Sequence, residues 1–458
     1  MSRLKRTVSE TIKGHTIGTT ETTETEETET ESRELMNNHY IELPNGAVII
    51  GERKEETRTV SMAFAMKVGS ADEEDSISGV SHFIEHALFK GTLRRNAFEI
   101  KEPIERIGGS LNAYTGRVST VYYAKVPDTY ASEALEILFD LITSPRFDET
   151  SLELERGVIM EEIAAAEDDP YDRIYDMTIE KVWDRDFGRP ILGYQDTVGN
   201  LKKEKLTNFY DHKYVANNVI FAVSGNYNED LLKNTEKKLL SMRVNGSKPV
   251  AKSPVISKKP LWIVERRKDL QQVHLLLTRD APGRRNKDDF DAFKIFNTLF
   301  GSGMSSILFH NIREQLGMVY NISSEFVSYA DSGAFMINAT TGPKNLDNLV
   351  ASLKKEIGNL ISRGVTEAQF NYGKERAKGK LLMSTEGTLQ TLSRFLDDVV
   401  ICGKPDSLED LIARIEALTI DDINDSIKRH IAGPWNVSLL LPEQMQNSTF
   451  LKEEHFEI

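Results

Sequence analysis

Apolar and polar residues along the first half of the chain alternate between runs typical of strands and runs typical of helices. Residues 60–68 and 119–126 are short, mostly apolar stretches and are predicted to be strands. Residues 147–163 repeat with a period near 3.6, which predicts a helix. This helix is expected to begin near Asp148 or Thr150, because either side chain can cap a helix N-terminus.

The same order of elements repeats in the second half. Residues 273–278 stand where the strand at 60–68 stood, and residues 365–378 stand where the helix at 147–163 stood. Residues 290–300 form a second helical run between them. The likeness is one of order rather than identity, and it indicates two duplicated α+β halves. Each half is predicted to be a mixed, mostly antiparallel sheet with helices packed on one face.

Composition divides the chain further. Residues 1–34 contain a tract of Thr and Glu and are predicted to be a disordered tail. Residues 243–257 are polar and carry two prolines, so they are predicted to be a linker. The linker would join an N-terminal domain, 35–242, to a C-terminal domain, 258–445, and a length of 458 residues suits two domains.

Charge and cysteine content narrow the partners and the compartment. The net charge of -14 argues against nucleic acid as a partner. The sequence contains no run of 18 apolar residues, so no membrane-spanning helix is predicted. The single cysteine, Cys402, excludes an intrachain disulfide and suits a reducing compartment. The first residues are basic, but the acidic tract behind them argues against a transit peptide. A cytoplasmic location is therefore expected, with the mitochondrial matrix as the alternative.

The chemistry-bearing motif is His-x-x-Glu-His, formed by His82, Glu85 and His86. Histidines four residues apart lie on one face of a helix, so both can bind one zinc ion. Glu85 points to the same side and can take a proton from water, as in the inverzincin peptidases. The alternative is a pair of ordinary core histidines. Because an unpartnered buried carboxylate is costly in that apolar helix, a metal site is the favoured interpretation.

A catalytic zinc usually takes three protein ligands and keeps one position for water. The predicted helix at 147–163 offers Glu155, Glu161 and Glu162. Glu155 and Glu162 share one stripe, and Glu161 points elsewhere, but spacing alone allows any of the three. A solvated acidic face is the commoner case for any one of them.

Four separated segments resemble the pitrilysin-type zinc peptidases, family M16. The segments are residues 82–92, 107–115, 155–162 and 313–320. The most similar branch contains the beta subunit of mitochondrial processing peptidase and short bacterial and archaeal relatives. The resemblance covers residues 36 to about 440, and it implies a LuxS/metallopeptidase-like fold.

The resemblance also implies a role for each matching residue. Zinc would be bound by His82, His86 and Glu162, with Glu155 orienting a ligating histidine and Glu85 acting as the general base; the substrate would be held by Asn112 and Ala113 of an edge strand, with Arg313 and Tyr320 binding its carbonyl. The implied enzyme is a zinc metalloendopeptidase acting on extended peptides or unfolded protein segments.

Two other functions stay open at this point. The family contains non-catalytic scaffold or core subunits of the same fold, and a zinc hydrolase acting on other substrates is also conceivable. Some relatives divide the zinc motif and the arginine–tyrosine segment between two chains. This chain carries both, so a homodimer is predicted, with a heterodimer with a related chain as the alternative.

Overall fold

The computed structural model describes residues 38–246, 250–257 and 259–445. The predicted tail at 1–34 and residues 247–249 of the predicted linker therefore lie outside the described residues. Within the described part no helix has both the length and the apolar character needed to cross a membrane.

The strands form two sheets, one in each half. The first sheet contains β1 (Asn38–Glu42), β2 (Val48–Arg53), β3 (Thr59–Met66), β4 (Ser110–Thr115), β5 (Thr120–Pro127) and β6 (Val219–Gly225). The second contains β7 (Trp262–Arg267), β8 (Val273–Pro282), β9 (Val319–Ser328), β10 (Ser332–Thr341) and β11 (Asn436–Pro442).

The helices fall into two corresponding groups. In the first half they are α1 (Val80–Leu88), α2 (Ala97–Glu105), α3 (Ala131–Thr143), α4 (Glu149–Asp168), α5 (Pro170–Val182), α6 (Arg185–Gly188), α7 (Gln195–Gly199), α8 (Lys203–Lys213) and α9 (Glu229–Leu240). In the second half they are α10 (Lys287–Phe300), a π-helix (Phe309–Gln315), α11 (Leu346–Arg363), α12 (Glu367–Glu386), α13 (Thr388–Cys402), α14 (Leu408–Ala417) and α15 (Ile420–Ile431).

Apart from the additional edge strand β1 of the first sheet, the two sheets share one topology, which confirms the predicted pair of similar halves. The strand order is β1-β2-β6-β3-β5-β4 in the first sheet and β7-β11-β8-β10-β9 in the second. One pair in each sheet is parallel, β2 with β6 and β7 with β11, and the other neighbours are antiparallel. Strands β4 and β9 occupy the corresponding outer edges. Each sheet is therefore mixed and mostly antiparallel, as the sequence predicts.

The predicted helix at 147–163 corresponds to α4. Its cap is Asp148, whose side chain accepts a hydrogen bond from the Ser151 backbone N–H at 3.0 Å. Of the two capping residues that the sequence offered, the structure uses Asp148. The helix then runs on to Asp168, five residues beyond the predicted segment.

Both faces of each sheet are covered, which goes beyond the expectation of helices on one face. The inner face of the first sheet packs against α1, α3 and α4, and that of the second packs against α10, α11 and α15. The outer face of each sheet receives a helix from the other half. Helix α13 lies across the first sheet, and α5 lies across the second. The central strands β3 and β6 are accordingly apolar on both sides rather than alternating.

Apolar contacts and buried hydroxyl pairs join the halves at these two crossings. Leu392, Phe395 and Val399 of α13 pack against the outer face of the first sheet. The Oγ of Ser61 in β3 lies 2.8 Å from Oγ1 of Thr388. On the other side, Oγ1 of Thr178 in α5 donates to Oγ of Ser438 in β11 at 2.6 Å. Each buried hydroxyl thus finds a partner in the opposite half.

The crossing helix α13 should contribute strongly to stability. Replacing Phe395, which is 6% exposed, by alanine removes a buried aromatic ring between the halves. We expect Phe395→Ala to lower the free energy of unfolding by about 3–5 kcal/mol. Urea unfolding followed by tryptophan fluorescence measures this change.

The matched control is Phe98→Ala, because Phe98 is 72% exposed on α2. That change should stay within about 0.5 kcal/mol of the parent protein. Equal stability of the two variants would mean that α13 does not hold the halves together.

Candidate metal centre

Helix α1 presents the two histidines of the motif to the same side. His82 and His86 are one turn apart, and their ring centroids lie 4.6 Å apart. The opposite face of the helix places Phe83, Ile84 and Leu88 in the first core. This apolar face anchors the helix against the sheet, so the two imidazoles are directed away from the core.

Helix α4 brings Glu162 to the two imidazoles. Its Oε2 lies 3.7 Å from Nε2 of His82 and 3.5 Å from Nε2 of His86. One ligand atom from each of the three residues lies within 4.8 Å of the others. Two ligands of a tetrahedral zinc are separated by about 3.4 Å, as follows from bonds of about 2.1 Å. Two nitrogens and one carboxylate oxygen at this spacing fit a zinc ion with one position left for water.

The other two candidate carboxylates of α4 take different positions. Glu155 is buried, and its Oε2 lies 3.1 Å from Nδ1 of His86. Its other oxygen forms an ion pair with Lys90. Glu161 is exposed and lies outside the cluster. A carboxylate on Nδ1 fixes the tautomer of the ring and leaves Nε2 free to bind a metal.

His82 differs from His86 in its surroundings. Burial, with a smaller effect of His86, lowers the pKa of His82 to about 4. The neutral imidazole is the form that binds a metal. Among the described residues no hydrogen-bonding partner reaches its Nδ1, which is buried. No carboxylate therefore orients the ring of His82 as Glu155 orients that of His86.

Glu85 lies beside the cluster and is held by strand β4. Oγ1 of Thr115 donates a hydrogen bond to its Oε2 at 2.5 Å. Burial raises the pKa of Glu85, and the Thr115 hydrogen bond opposes that rise. A carboxyl group whose pKa moves toward neutrality is suited to accept and return a proton near pH 7. Among the described residues none hydrogen-bonds to its other oxygen.

Asn112 and Ala113 lie on the edge strand β4. The strand pairs with β5 on one side only, so its other edge is free within the described sheet. Asn112 is exposed, and its Oδ1 accepts a hydrogen bond from the backbone N–H of Ala113 at 2.9 Å. Strand β4 also carries Thr115, so the free edge runs directly past Glu85.

Arg313 and Tyr320 lie in the second half of the chain and are not part of this cluster. Arg313 is exposed in the π-helix, with its guanidinium 4.6 Å from the ring centroid of Phe309. Tyr320 is on the edge strand β9 and is 75% exposed. In the described part of the chain neither side chain hydrogen-bonds or pairs with the residues of the metal cluster. The structure thus brings together His82, Glu85, His86, Glu155 and Glu162, and not these two.

Sequence reasoning missed two contacts of the site. The hydrogen bond from Thr115 to Glu85 joins a strand to a helix, and the ion pair from Lys90 to Glu155 joins the end of α1 to α4. Both residues stand inside motifs that the sequence singles out. Their partners depend on tertiary packing, and no local spacing indicates them.

Comparison with known families finds two profiles that meet between residues 194 and 200, ahead of β6, the last strand of the first sheet. The profile described as insulinase, peptidase family M16, matches residues 48–194. The profile described as peptidase M16 inactive domain matches residues 200–377. None of the three clustered residues lies in the segment that the inactive-domain profile matches.

Relatives of similar length match most of the chain. An uncharacterized zinc protease of Bacillus subtilis, YmxG, is 32% identical over 399 residues, covering 87% of this chain and 97% of that protein. An uncharacterized zinc protease of Rickettsia felis is 32% identical over 414 residues, covering 90% and 99%.

Solved structures agree in fold. The crystal structure of a protease from Helicobacter pylori covers 88% of this chain and 99% of its own, with a TM-score of 0.81 at 21% identity. A Pseudomonas fluorescens structure described as a peptidase M16 inactive domain covers 90% and 100%, with a TM-score of 0.80 at 17% identity. At these identities the likeness shows the fold alone.

The choice between neighbouring carboxylates can be tested by metal retention. Glu162→Gln removes an oxygen that lies against both imidazoles. Loss of a residue that only hydrogen-bonds to a metal ligand lowers metal affinity about 10–100-fold, and we expect loss of a ligand itself to lower zinc affinity by at least as much. Zinc remaining after equilibration with a graded chelator measures the affinity.

Glu161→Gln is the matched control, since it makes the same chemical change one position away on an exposed side chain. It should retain zinc as the parent does. Equal retention by the two variants would show that Glu162 is not the ligand.

Proposed function

The chain belongs to the M16 peptidase family, and we propose that it is a zinc-dependent endopeptidase that cleaves extended peptides or unfolded protein segments. The observation that carries the proposal is the position of Oε2 of Glu162, 3.7 Å and 3.5 Å from the Nε2 atoms of His82 and His86, with Glu85 beside the cluster. The relatives named as zinc proteases support the choice of metal.

Glu85 is proposed to move the proton. When bound, zinc supplies Lewis-acid polarisation of the scissile carbonyl and activation of the attacking water. Glu85 takes a proton from that water and later returns it to the leaving amine. Thr115 holds one oxygen of Glu85 in place, and the second oxygen stays available for the transfer. The carboxylate is thereby positioned before substrate arrives.

The substrate is proposed to bind as an additional strand on β4. A peptide that pairs with a free sheet edge is held mainly by backbone hydrogen bonds, so it must be extended and its sequence matters less. The N–H of Ala113 is already bonded to Oδ1 of Asn112, so an arriving carbonyl would replace that side-chain acceptor. Because Thr115 of the same strand contacts Glu85, a peptide on β4 lies next to the base.

Arg313 and Tyr320 are proposed to act from a second copy of the chain. Both are exposed, and β9, which carries Tyr320, is the edge strand corresponding to β4. In a two-fold dimer the second half of one protomer can face the metal half of the other. Arg313 would then bind a peptide carbonyl, and the Tyr320 hydroxyl would stabilise the negative charge that develops on it. A heterodimer with a related chain would use the same arrangement.

The base role of Glu85 makes a clear prediction. Glu85→Gln keeps the size of the side chain and removes its ability to accept a proton. We expect zinc content to equal that of the parent while kcat falls about 10²–10⁴-fold. Metal analysis and cleavage of a fluorogenic peptide library measure the two quantities. A Glu85→Gln enzyme with near-parental kcat would exclude the mechanism.

The composite site can be tested by mixing inactive variants. His82→Ala disables the metal half of a chain, and Arg313→Ala disables its second half. If residues of two chains meet in one site, each mixed dimer contains one intact site out of two. Random subunit exchange makes about half of the dimers mixed, so we expect activity to recover to about a quarter of the parental value. Peptide cleavage before and after mixing measures the recovery.

The control is each variant incubated alone under the same exchange conditions. Exchange itself is followed by native mass spectrometry of chains carrying different tags. Full exchange without recovery would mean that Arg313 acts within its own chain or not at all. An active protein that stays monomeric at assay concentration would exclude the dimer.

A further inference from the structure

The metal-binding helix α1 begins without a capping side chain of its own. Its N-cap is Gly79, whose φ of +93° lies in the left-handed region. A Cβ at this position would lie 2.6 Å from the carbonyl oxygen of Leu192 and 3.0 Å from Cα of Gly193. The close approach of the loop at 192–193 therefore requires glycine. The first N–H groups of a helix nevertheless need acceptors.

Glu73, from the segment before the helix, provides those acceptors. Its Oε2 accepts a hydrogen bond from the Gly79 N–H at 2.7 Å, and its Oε1 accepts one from the Ser81 N–H at 2.8 Å. The side chain is 4% exposed. One carboxylate thus binds two backbone N–H groups at the start of α1, where negative charge is also favoured by the helix dipole.

The carboxylate is held there without a cationic partner in the described chain. Burial raises the pKa of Glu73 to about 7, and the hydrogen bonds from Ser81 and Gly79 oppose the rise. The nearby guanidinium of Arg189 is bonded to Asp75 and Asp186 instead. A buried carboxylate without an ion-pair partner is costly, and its hydrogen bonds to the helix stabilise it, with a smaller contribution from the charge of Arg189.

We infer that Glu73 is the positioning residue that fixes the first turn of α1 and, through it, the zinc ligand His82. This inference rests on the proposed zinc site. His82 directly follows Ser81, whose N–H is bound to Glu73. The ring of His86 is oriented by Glu155, whereas Nδ1 of His82 has no protein partner among the described residues. The placement of His82 therefore depends on the backbone of the first turn, which Glu73 holds.

The test compares two neighbouring glutamates. Glu73→Gln leaves one acceptor oxygen and turns an N–H₂ group toward a helix N–H, whereas Glu74→Gln makes the same change on an exposed side chain. For Glu73→Gln we expect zinc affinity to fall about 10–100-fold, the range found for supporting partners of metal ligands. Chelator competition measures the affinity, and the visible spectrum of the cobalt-substituted protein reports the geometry of the ligands.

A positioning role differs measurably from a purely structural one. We expect kcat of zinc-saturated Glu73→Gln to fall about tenfold or more, while KM stays within about twofold of the parental value. The reason is that the substitution would misalign the reacting groups without changing the surface that binds substrate. The cobalt spectrum should change as well. A structural role would only lower the melting temperature of the metal-free protein. Parental zinc affinity, kcat and spectrum in a folded Glu73→Gln protein would overturn the inference.

A second variant covers the case in which Glu73→Gln does not fold. Glu73→Asp keeps the charge but is one methylene shorter, so it cannot reach both N–H groups. We expect at least about threefold weaker zinc binding, between the parent and the range given above. Parental affinity and kcat in Glu73→Asp would equally overturn the inference. If the parent and Glu74→Gln themselves bound no zinc, the proposed function would fail before the role of Glu73 was reached.

Discussion

The packing of α1 against α4 on the inner face of the first sheet is the interaction on which the candidate site depends. Phe83 and Ile84 of α1 share a core with Ile159 and Ile163 of α4. The guanidinium of Arg156 in α4 also lies 5.3 Å from the ring centroid of Phe83. Only with these helices in contact do two imidazoles and a carboxylate meet. Apolar burial therefore supplies the free energy that holds three polar ligands close together before a metal binds.

The second half is tied to this packing although it lacks the ligands. Asp169 ends α4 and caps α5, accepting hydrogen bonds from the N–H groups of Tyr171 and Asp172 at 2.8 and 3.1 Å. Helix α5 then crosses onto the outer face of the second sheet. The helix that carries Glu162 is thus fixed at its C-terminal end by contacts with the other half. A change in the packing between the halves would therefore shift the position of Glu162 in the metal cluster.

The part of the fold that could be predicted is the part that local periodicity determines. The strands at 60–68 and 273–278 and the helix at 147–163 follow from spacing, and the repeated element order follows from them. The crossings of α5 and α13 do not, because an apolar stripe does not say which surface it covers. The site divides in the same way. His82 and His86 share a face through helix geometry alone, whereas spacing could not choose among the three glutamates of α4.

The contacts that sequence reasoning missed join a side chain to a group outside its own helix or strand. Thr115 reaches Glu85 from a strand, and Glu73 reaches α1 from the preceding loop. Thr115 and Glu85 are 30 residues apart, so the tertiary fold sets their contact, whereas Glu73 lies only six and eight residues before the N–H groups that it binds. A glycine at the start of a helix with a glutamate upstream is only a weak sequence signal for such a cap. It can be interpreted only when the close approach of residues 192–193 to Gly79 is known from the structure.

The described residues of the second half contain no cluster of possible metal ligands, and its corresponding helices bury other groups. Helix α10, the counterpart of α1, places Phe293, Phe296 and Phe300 in the second core. On α12, the counterpart of α4, Arg376 donates to the backbone oxygens of Thr298 and Ser302. Aromatic packing and a backbone-bonded arginine thus hold this helix pair together without a metal. The second half contributes helix α13, which covers the outer face of the first sheet, and the exposed edge strand that carries Tyr320. The second half thus supports the metal half by covering its sheet with α13, while the described cluster of possible metal ligands lies wholly in the first half.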